Sequence, residues 1–139
     1  MKPIIFALLA MAFWGLAPIF SKLGLAKLEP FTALTIRSVV IAVIMLVIGL
    51  GTGKLTGLAQ VNPKSALLIV GEGVCAALLG QLAYYYAIKG GEVSLVSPIV
   101  AAFPIVTIAI ALLFLGEKFT VQKLMGAALI IAGVIVIKR

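Results

Sequence analysis

Long apolar runs, separated by short polar or charged segments, make up most of this chain. No charged residue interrupts residues 3–21 or 38–53, and each run is long enough to approach or cross a bilayer core of about 30 Å. Comparable runs recur to the end of the sequence. The pattern predicts five membrane-spanning helices, at residues 3–23, 31–50, 65–88, 93–115 and 121–137.

Short connections between these runs indicate that consecutive helices are antiparallel neighbours. The longest connection, residues 54–64, contains Asn62-Pro63 and is predicted to be a polar loop. Little of the chain is then left outside the membrane. The sequence predicts an all-α integral membrane protein: one domain, residues 1–139, folded as a five-transmembrane-helix bundle that must itself carry any function.

Composition argues against a soluble domain and against nucleic-acid binding. Hydrophobic residues make up 64% of the chain and charged residues 11%, far from the balance of a soluble protein. The net charge is +7, but the basic residues stand singly at the ends of apolar runs, where Lys and Arg reach lipid headgroups. The expected partner is therefore the lipid bilayer, and not nucleic acid.

Enzymatic and metal chemistry lack the residues that they need. The chain has no His and a single Cys, Cys75, so neither a Cys/His metal site nor an internal disulfide can form. No nucleophile–base constellation is present, and the glycine-rich residues 49–53 lack the strand-to-helix setting of a phosphate-binding loop. We therefore expect no enzyme activity, no catalytic residue, no metal and no cofactor.

Two charged residues fall inside predicted spans. Glu72 lies about 10 Å into the third span at about 1.5 Å per residue, and a carboxylate in hydrocarbon should face a cavity or partner or be protonated. Arg37 lies equally deep in the second span, measured from the opposite side, so it falls level with Glu72 of an inverted copy. The pair is predicted to bind substrate or to lock two subunits together. The alternatives are a structural hydrogen bond for Glu72 and a headgroup contact for Arg37.

Other polar and aromatic residues could line a substrate path. Trp14 and Tyr86 could form an aromatic wall, although the tyrosines at 84–86 are more typical of an interfacial belt. Gln81 is a buried polar candidate whose alternative role is an interhelical hydrogen bond. On an α-helical wheel, Cys75 and Tyr86 share the side of Glu72.

Prolines and glycines predict where helices bend and pack. Pro18 in the first span, with Pro98 and Pro104 in the fourth, removes backbone donors and is expected to kink or break these helices. Gly126 and Gly133 in the fifth span are expected to allow close helix packing. The prolines are equally compatible with packing kinks that have no functional role.

Positive charges do not choose an orientation for the predicted bundle. One side carries Lys2, Lys54, Lys64, Lys118 and Lys123. The other carries Lys22, Lys27, Lys89, Lys138 and Arg139, with Arg37 as a sixth candidate. Because the positive-inside rule needs an excess on one side, two interpretations stay open: a single orientation under weak bias, or dual topology with pairing of inverted copies.

Several motifs occur in order along the whole chain. They are the run from Tyr84 to Pro98, Phe103-Pro104, Leu115-Gly116-Glu117-Lys118 with Thr120, Gly126 with residues 130–134, Phe13-Trp14-Gly15, and Arg37. Together they resemble EamA-type proteins of the drug/metabolite transporter superfamily. Members typically carry two five-helix repeats of opposite topology, whereas this chain has one EamA repeat.

The resemblance implies a half-size secondary transporter that dimerises, most simply as an antiparallel homodimer, with its small-molecule substrate near the midplane between the halves. The expected substrate is an amino-acid-like or organic cationic metabolite, exported across a prokaryotic inner or plasma membrane. The alternatives are a non-transporting membrane subunit, a partner in a hetero-oligomeric transporter, and a narrow channel.

Overall fold

The computed structural model describes residues 2–118 and 120–137, and the regular secondary structure in that part of the chain is all helical, with no strand. The predicted charges at Lys138 and Arg139 lie outside the described residues, as does the side chain of Lys2. Four helices are long and apolar enough to cross a membrane. They are α1 (Lys2–Leu25), α2 (Pro30–Gly51), α3 (Pro63–Gly90) and α4 (Val93–Phe114). A shorter apolar helix follows, α5 (Val121–Ile137), which has 17 residues.

The described chain divides into two compact units, one ending at Gly90 and one beginning at Gly91. The first unit contains α1 to α3, and the second contains α4 and α5. Their long apolar side chains are mostly exposed, as the helices of a multi-pass membrane protein present them to lipid or to a partner.

Proline and a capping side chain set the start of two helices. Pro30 occupies the first turn of α2, and Oε2 of Glu29 accepts hydrogen bonds from the backbone N–H groups of Phe31 (2.9 Å) and Thr32 (3.2 Å). At the start of α3, Oδ1 of Asn62 accepts from the N–H of Lys64 at 2.8 Å. Because the first turn of a helix has free N–H groups, Glu29-Pro30 and Asn62-Pro63 fix these starts locally.

The connection predicted to be a polar loop is partly helical. Residues Lys54–Gln60 form a 3₁₀ helix, which follows Gly53 with its backbone in the left-handed region at φ 68°. The segment folds back on the end of α2, where a Cβ placed on buried Gly49 would lie 2.6 Å from Cδ2 of Leu55. The contact between Leu55 and Gly49 therefore stabilises the 3₁₀ helix, in a segment whose polarity predicted a loop.

We expect Gly49→Ala to loosen the 3₁₀ segment. The added methyl group would meet Leu55 well inside van der Waals distance, and overpacking of this kind typically costs about 1–3 kcal/mol. Limited trypsin digestion at Lys54 should therefore be faster. The matched control is Gly51→Ala, since a Cβ there meets nothing within 4 Å. Leu55→Ala removes the contact itself and should also speed digestion, whereas equal rates for Gly49→Ala and Gly51→Ala would contradict the packing argument.

The middle of α3 is wider than an α-helix. Gly73–Gly80 forms a π-helical segment between the α-helical parts Pro63–Glu72 and Gln81–Gly90. A Cβ on Gly80 would lie 3.0 Å from the carbonyl oxygen of Cys75, so the absent side chain allows this wide turn. A π-helix bonds i to i+5 and advances less per residue than an α-helix. The wheel that put Cys75 and Tyr86 on the side of Glu72 assumed α-helical spacing, which does not hold across this segment.

Helix α4 is interrupted between its two prolines. Its halves, Val93–Val100 and Pro104–Phe114, flank a turn at residues 101–103. Pro104 has no N–H to offer the carbonyl of Val100, and that carbonyl accepts from the N–H of Phe103 at 3.1 Å instead. Pro98 lies within the first half. Pro18 is buried inside α1, which is helical on both sides of it.

Five buried residues of the first unit lie together at one end of its three helices. Leu25 at the end of α1 and Ile88 near the end of α3 are 1% and 0% exposed, and Pro30 at the start of α2 is also fully buried. Leu34 and Tyr85 complete this layer. The first unit is therefore tightly closed at this end, and the rest of its helix surface is largely exposed.

Candidate functional site

Side-chain hydrogen bonds stabilise the closed end of the first unit. Nζ of Lys22 donates to the carbonyl of Ile88 at 2.8 Å, and Nζ of Lys89 donates to the carbonyl of Leu28 at 2.9 Å. The hydroxyl of Tyr86 donates to Oε1 of Glu29 at 3.0 Å. We call Lys22, Glu29, Tyr86 and Lys89 the end cluster.

The lysines of the end cluster donate hydrogen bonds to backbone carbonyls that have no helical N–H partner. The carbonyls of Leu28 and Ile88 lie beside the ends of α1 and α3, where no further helical N–H is available. Charge-assisted bonds from the two ammonium groups fill this need. Glu29 acts twice, because one oxygen caps α2 and the other binds Tyr86 of α3. The cluster therefore ties the α1–α2 turn to the end of α3.

Sequence reasoning did not find this cluster as a unit. The sequence Glu29-Pro30 is typical of a helix start, and Lys22 and Lys89 were both predicted to lie on the same side of the membrane. Pairing them requires knowing that α1 and α3 end together, which the antiparallel order of short-linked helices implies. That inference would have brought Lys22, Glu29, Tyr86 and Lys89 to one end.

The two charges predicted within the membrane are both exposed on the first unit. Arg37 lies seven positions after Pro30, the first residue of α2, and Glu72 ends the first α-helical part of α3, directly before the π-helical segment. Among the described residues, neither side chain forms a hydrogen bond or an ion pair. Neither charged side chain therefore has a partner among the described residues.

The other predicted site residues are spread over the first unit. Trp14 is 71% exposed in the middle of α1, and Gln81 is half-buried where α3 resumes its α-helical form. Tyr86 belongs to the end cluster. No hydrogen bond or ion pair within the described part of the chain joins any two of Trp14, Arg37, Glu72, Gln81 and Tyr86.

The predicted packing glycines of α5 have open space around them. A Cβ on Gly126 or Gly133 would meet no atom within 4 Å. The one ion pair among the described residues also belongs to the second unit, between Nζ of Lys123 and Oε2 of Glu117 at 2.7 Å. Both side chains are partly exposed, and such pairs contribute little stability.

A shallow groove beside the end cluster is too small to enclose an organic substrate. Its volume is about 190 Å³, whereas pockets for drug-sized ligands occupy about 300–1,000 Å³. Its lining residues are Phe20, Ser21, Gly24, Leu25, Leu28, Ala33, Ile36 and Tyr85. The lining is mostly apolar and contains no charged residue among those described.

Four long apolar helices define a multi-pass membrane protein. The chain matches the family model described as the EamA-like transporter family over residues 1–139. It therefore belongs to this family, and the family resemblance drawn from its motifs is confirmed. Members of this family are transporters and not enzymes.

Two relatives are similar to this chain over nearly all of their own length. An "Uncharacterized transporter in cobO 3'region" from Sinorhizobium sp is 30% identical over 131 residues, or 94% of this chain and 92% of the relative. "Uncharacterized protein MJ1333.1" from Methanocaldococcus jannaschii is 31% identical over 134 residues, or 96% of this chain and 94% of the relative. No solved structure matches the chain. Both relatives are therefore close to this chain in size.

Proposed function

We propose that this chain is a half-size secondary transporter of the drug/metabolite superfamily and works as an antiparallel homodimer. It exports an amino-acid-like or organic cationic metabolite across the inner or plasma membrane of a prokaryote. The observation that carries the proposal is the match to a transporter family over residues 1–139, together with relatives of the same size. Two copies would supply the inverted repeats that such transporters place around a central site.

Five spans are part of this proposal, because they leave the two ends of the domain on opposite sides of the membrane. The 17 residues of α5 give a length of about 26 Å at about 1.5 Å per residue. That length lies at the short end of the range that spans a bilayer, about 17–25 residues. The single domain of residues 1–139 would then pair with an inverted copy of itself.

A second copy would complete a substrate cavity that one chain does not enclose. The groove of the first unit holds only about 190 Å³, less than a substrate cavity usually needs. The open space beside Gly126 and Gly133 would let the backbone of a partner helix approach closely. A cavity between two copies is therefore the proposed location of the substrate.

The proposed path residues come from both copies. Glu72 would attract the cationic group of the substrate, since an intramembrane carboxylate needs a cationic partner or protonation. Trp14 and Gln81 would contact its organic part, and Arg37 would lie near Glu72 of the other copy. Tyr86 would act at the end of the path, where it binds Glu29.

Topology reporters provide the first test. A reporter active only in the cytoplasm and one active only outside it would each be fused after residue 139 and expressed at matched levels. Comparable signals from both would support dual insertion and the antiparallel homodimer. A signal from one reporter alone would contradict the antiparallel homodimer and direct the search to an inverted partner protein or a parallel assembly.

Transport itself would be measured with the purified protein in liposomes. An imposed proton or sodium gradient would drive the release of radiolabelled amino acids and organic cations. Substrate movement that requires the protein would support a transporter. Absence of movement for all substrates, with an intact homodimer, would favour a non-transporting subunit.

A further inference from the structure

A second pocket opens at the closed end of the first unit, and two lysines line it. It has a volume of about 260 Å³ and is lined by Lys22, Leu25, Ala26 and Lys89. Lys22 and Lys89 come from different helices, near the end of α1 and near the end of α3. We call this the lysine pocket.

Backbone contacts hold both ammonium groups of the lysine pocket in place. Nζ of Lys22 bonds the carbonyl of Ile88, and Nζ of Lys89 bonds the carbonyl of Leu28, at 2.8 and 2.9 Å. An ammonium group carries three N–H donors, and a bond to a neutral carbonyl leaves its positive charge in place. Lysine side chains normally lose considerable rotamer freedom when they bind a ligand, and here much of that freedom is already lost.

The lysine pocket has no acidic lining residue among those described. The nearest carboxylate in the cluster, Glu29, already accepts bonds from Phe31, Thr32 and Tyr86. Leu25 gives the pocket an apolar wall at the point where α1 leaves the membrane. Two positive charges beside an apolar wall at the depth of the headgroups form a suitable site for an anion with an attached hydrocarbon chain.

We propose that the lysine pocket binds a phosphate group, with Lys22 and Lys89 as its two cationic contacts. Lysine binds phosphate as a point charge and does not require a planar geometry. The phosphate could belong to the headgroup of an anionic phospholipid or to a free phosphate anion. Either would sit between α1 and α3 and hold the ends of these helices together.

The test uses the full-length chain in detergent and follows thermal unfolding through the fluorescence of Trp14. Phosphatidylglycerol, phosphatidylcholine and inorganic phosphate are titrated separately. Phosphatidylglycerol is expected to raise the unfolding temperature far more than phosphatidylcholine. Each of K22Q and K89Q should weaken the apparent affinity about fivefold, since one lysine near an anionic surface contributes about 1 kcal/mol. Glutamine keeps an N–H donor for the carbonyl contact.

Two controls separate binding from folding. K54Q/K64Q removes two lysines from the opposite ends of the helices and should leave the phosphatidylglycerol effect unchanged. K22R/K89R keeps both charges and should retain the effect even where a glutamine variant fails to fold. A shift with inorganic phosphate that competes with the lipid would identify free phosphate as the ligand, and a shift with phosphatidylglycerol alone would identify the lipid. Equal shifts with both lipids, unaltered in K22Q and K89Q, would overturn the proposal.

Discussion

Exchanging the charges at positions 37 and 72 is expected to restore transport that either single reversal abolishes. Arg37→Glu and Glu72→Arg should each reduce the transport rate by more than about tenfold, because in the proposed antiparallel homodimer a charge buried between the copies and left without its partner costs about 3–5 kcal/mol. The double variant, R37E/E72R, should recover both the dimer and a substantial part of the rate.

The reason lies in the depths of the two residues. Arg37 is seven residues, or about 10 Å at about 1.5 Å per residue, from the start of α2. Glu72 is nine residues, or about 14 Å by the same rise, from the start of α3 at the opposite end. The bond from Lys89 to the carbonyl of Leu28 keeps the start of α2 level with the end of α3. Within one chain the two charges therefore lie at different depths, but in an inverted copy they differ by only about 3 Å.

Crosslinking and transport would be measured on the same preparations of all three variants. Glu72→Gln is the matched neutral variant, and loss of transport in it with an intact dimer would assign Glu72 to the substrate path and not to assembly. Recovery in the double variant would support a contact between copies. Failure of the double variant, with both single variants inactive, would rule out the pairing of Arg37 with Glu72.

Structural features that depend on residues close together in the sequence were predictable. Hydropathy and length indicate helices, and Glu29-Pro30 shows where α2 begins, because the cap and the proline act within one turn. The break of α4 follows from the missing N–H of Pro104 in the same local way. Motifs at family spacing identified the family.

Features that depend on contacts between distant residues were not predictable. Lys22 and Ile88 are 66 positions apart, and nothing near either residue indicates that the ammonium group of one will bond the carbonyl of the other. The π-helical segment at Gly73–Gly80 leaves hydropathy unchanged, since hydropathy depends on which residues the segment contains and not on how they are wound. The 3₁₀ segment was missed because polarity was considered without the packing of Leu55 on Gly49.

Removing the side chain of Glu29 is expected to destabilise the first unit at two points. Glu29→Ala would remove the cap of α2, a loss of about 1 kcal/mol, and in addition the bond that Tyr86 donates across to the turn. The unfolding temperature should fall by more than about 3 °C, taking about 2–4 °C per kcal/mol for a domain of this size. The fall would be followed by Trp14 fluorescence in detergent.

Three further variants divide the two roles of Glu29. Tyr86→Phe removes only the hydroxyl and should give a smaller fall, and Glu29→Gln keeps an acceptor oxygen and should give an intermediate one. In E29A/Y86F, the second substitution should add almost nothing, because the partner of the hydroxyl is already gone. Additive falls would mean that Tyr86 and Glu29 act independently, so that the end cluster would not tie α3 to the α1–α2 turn.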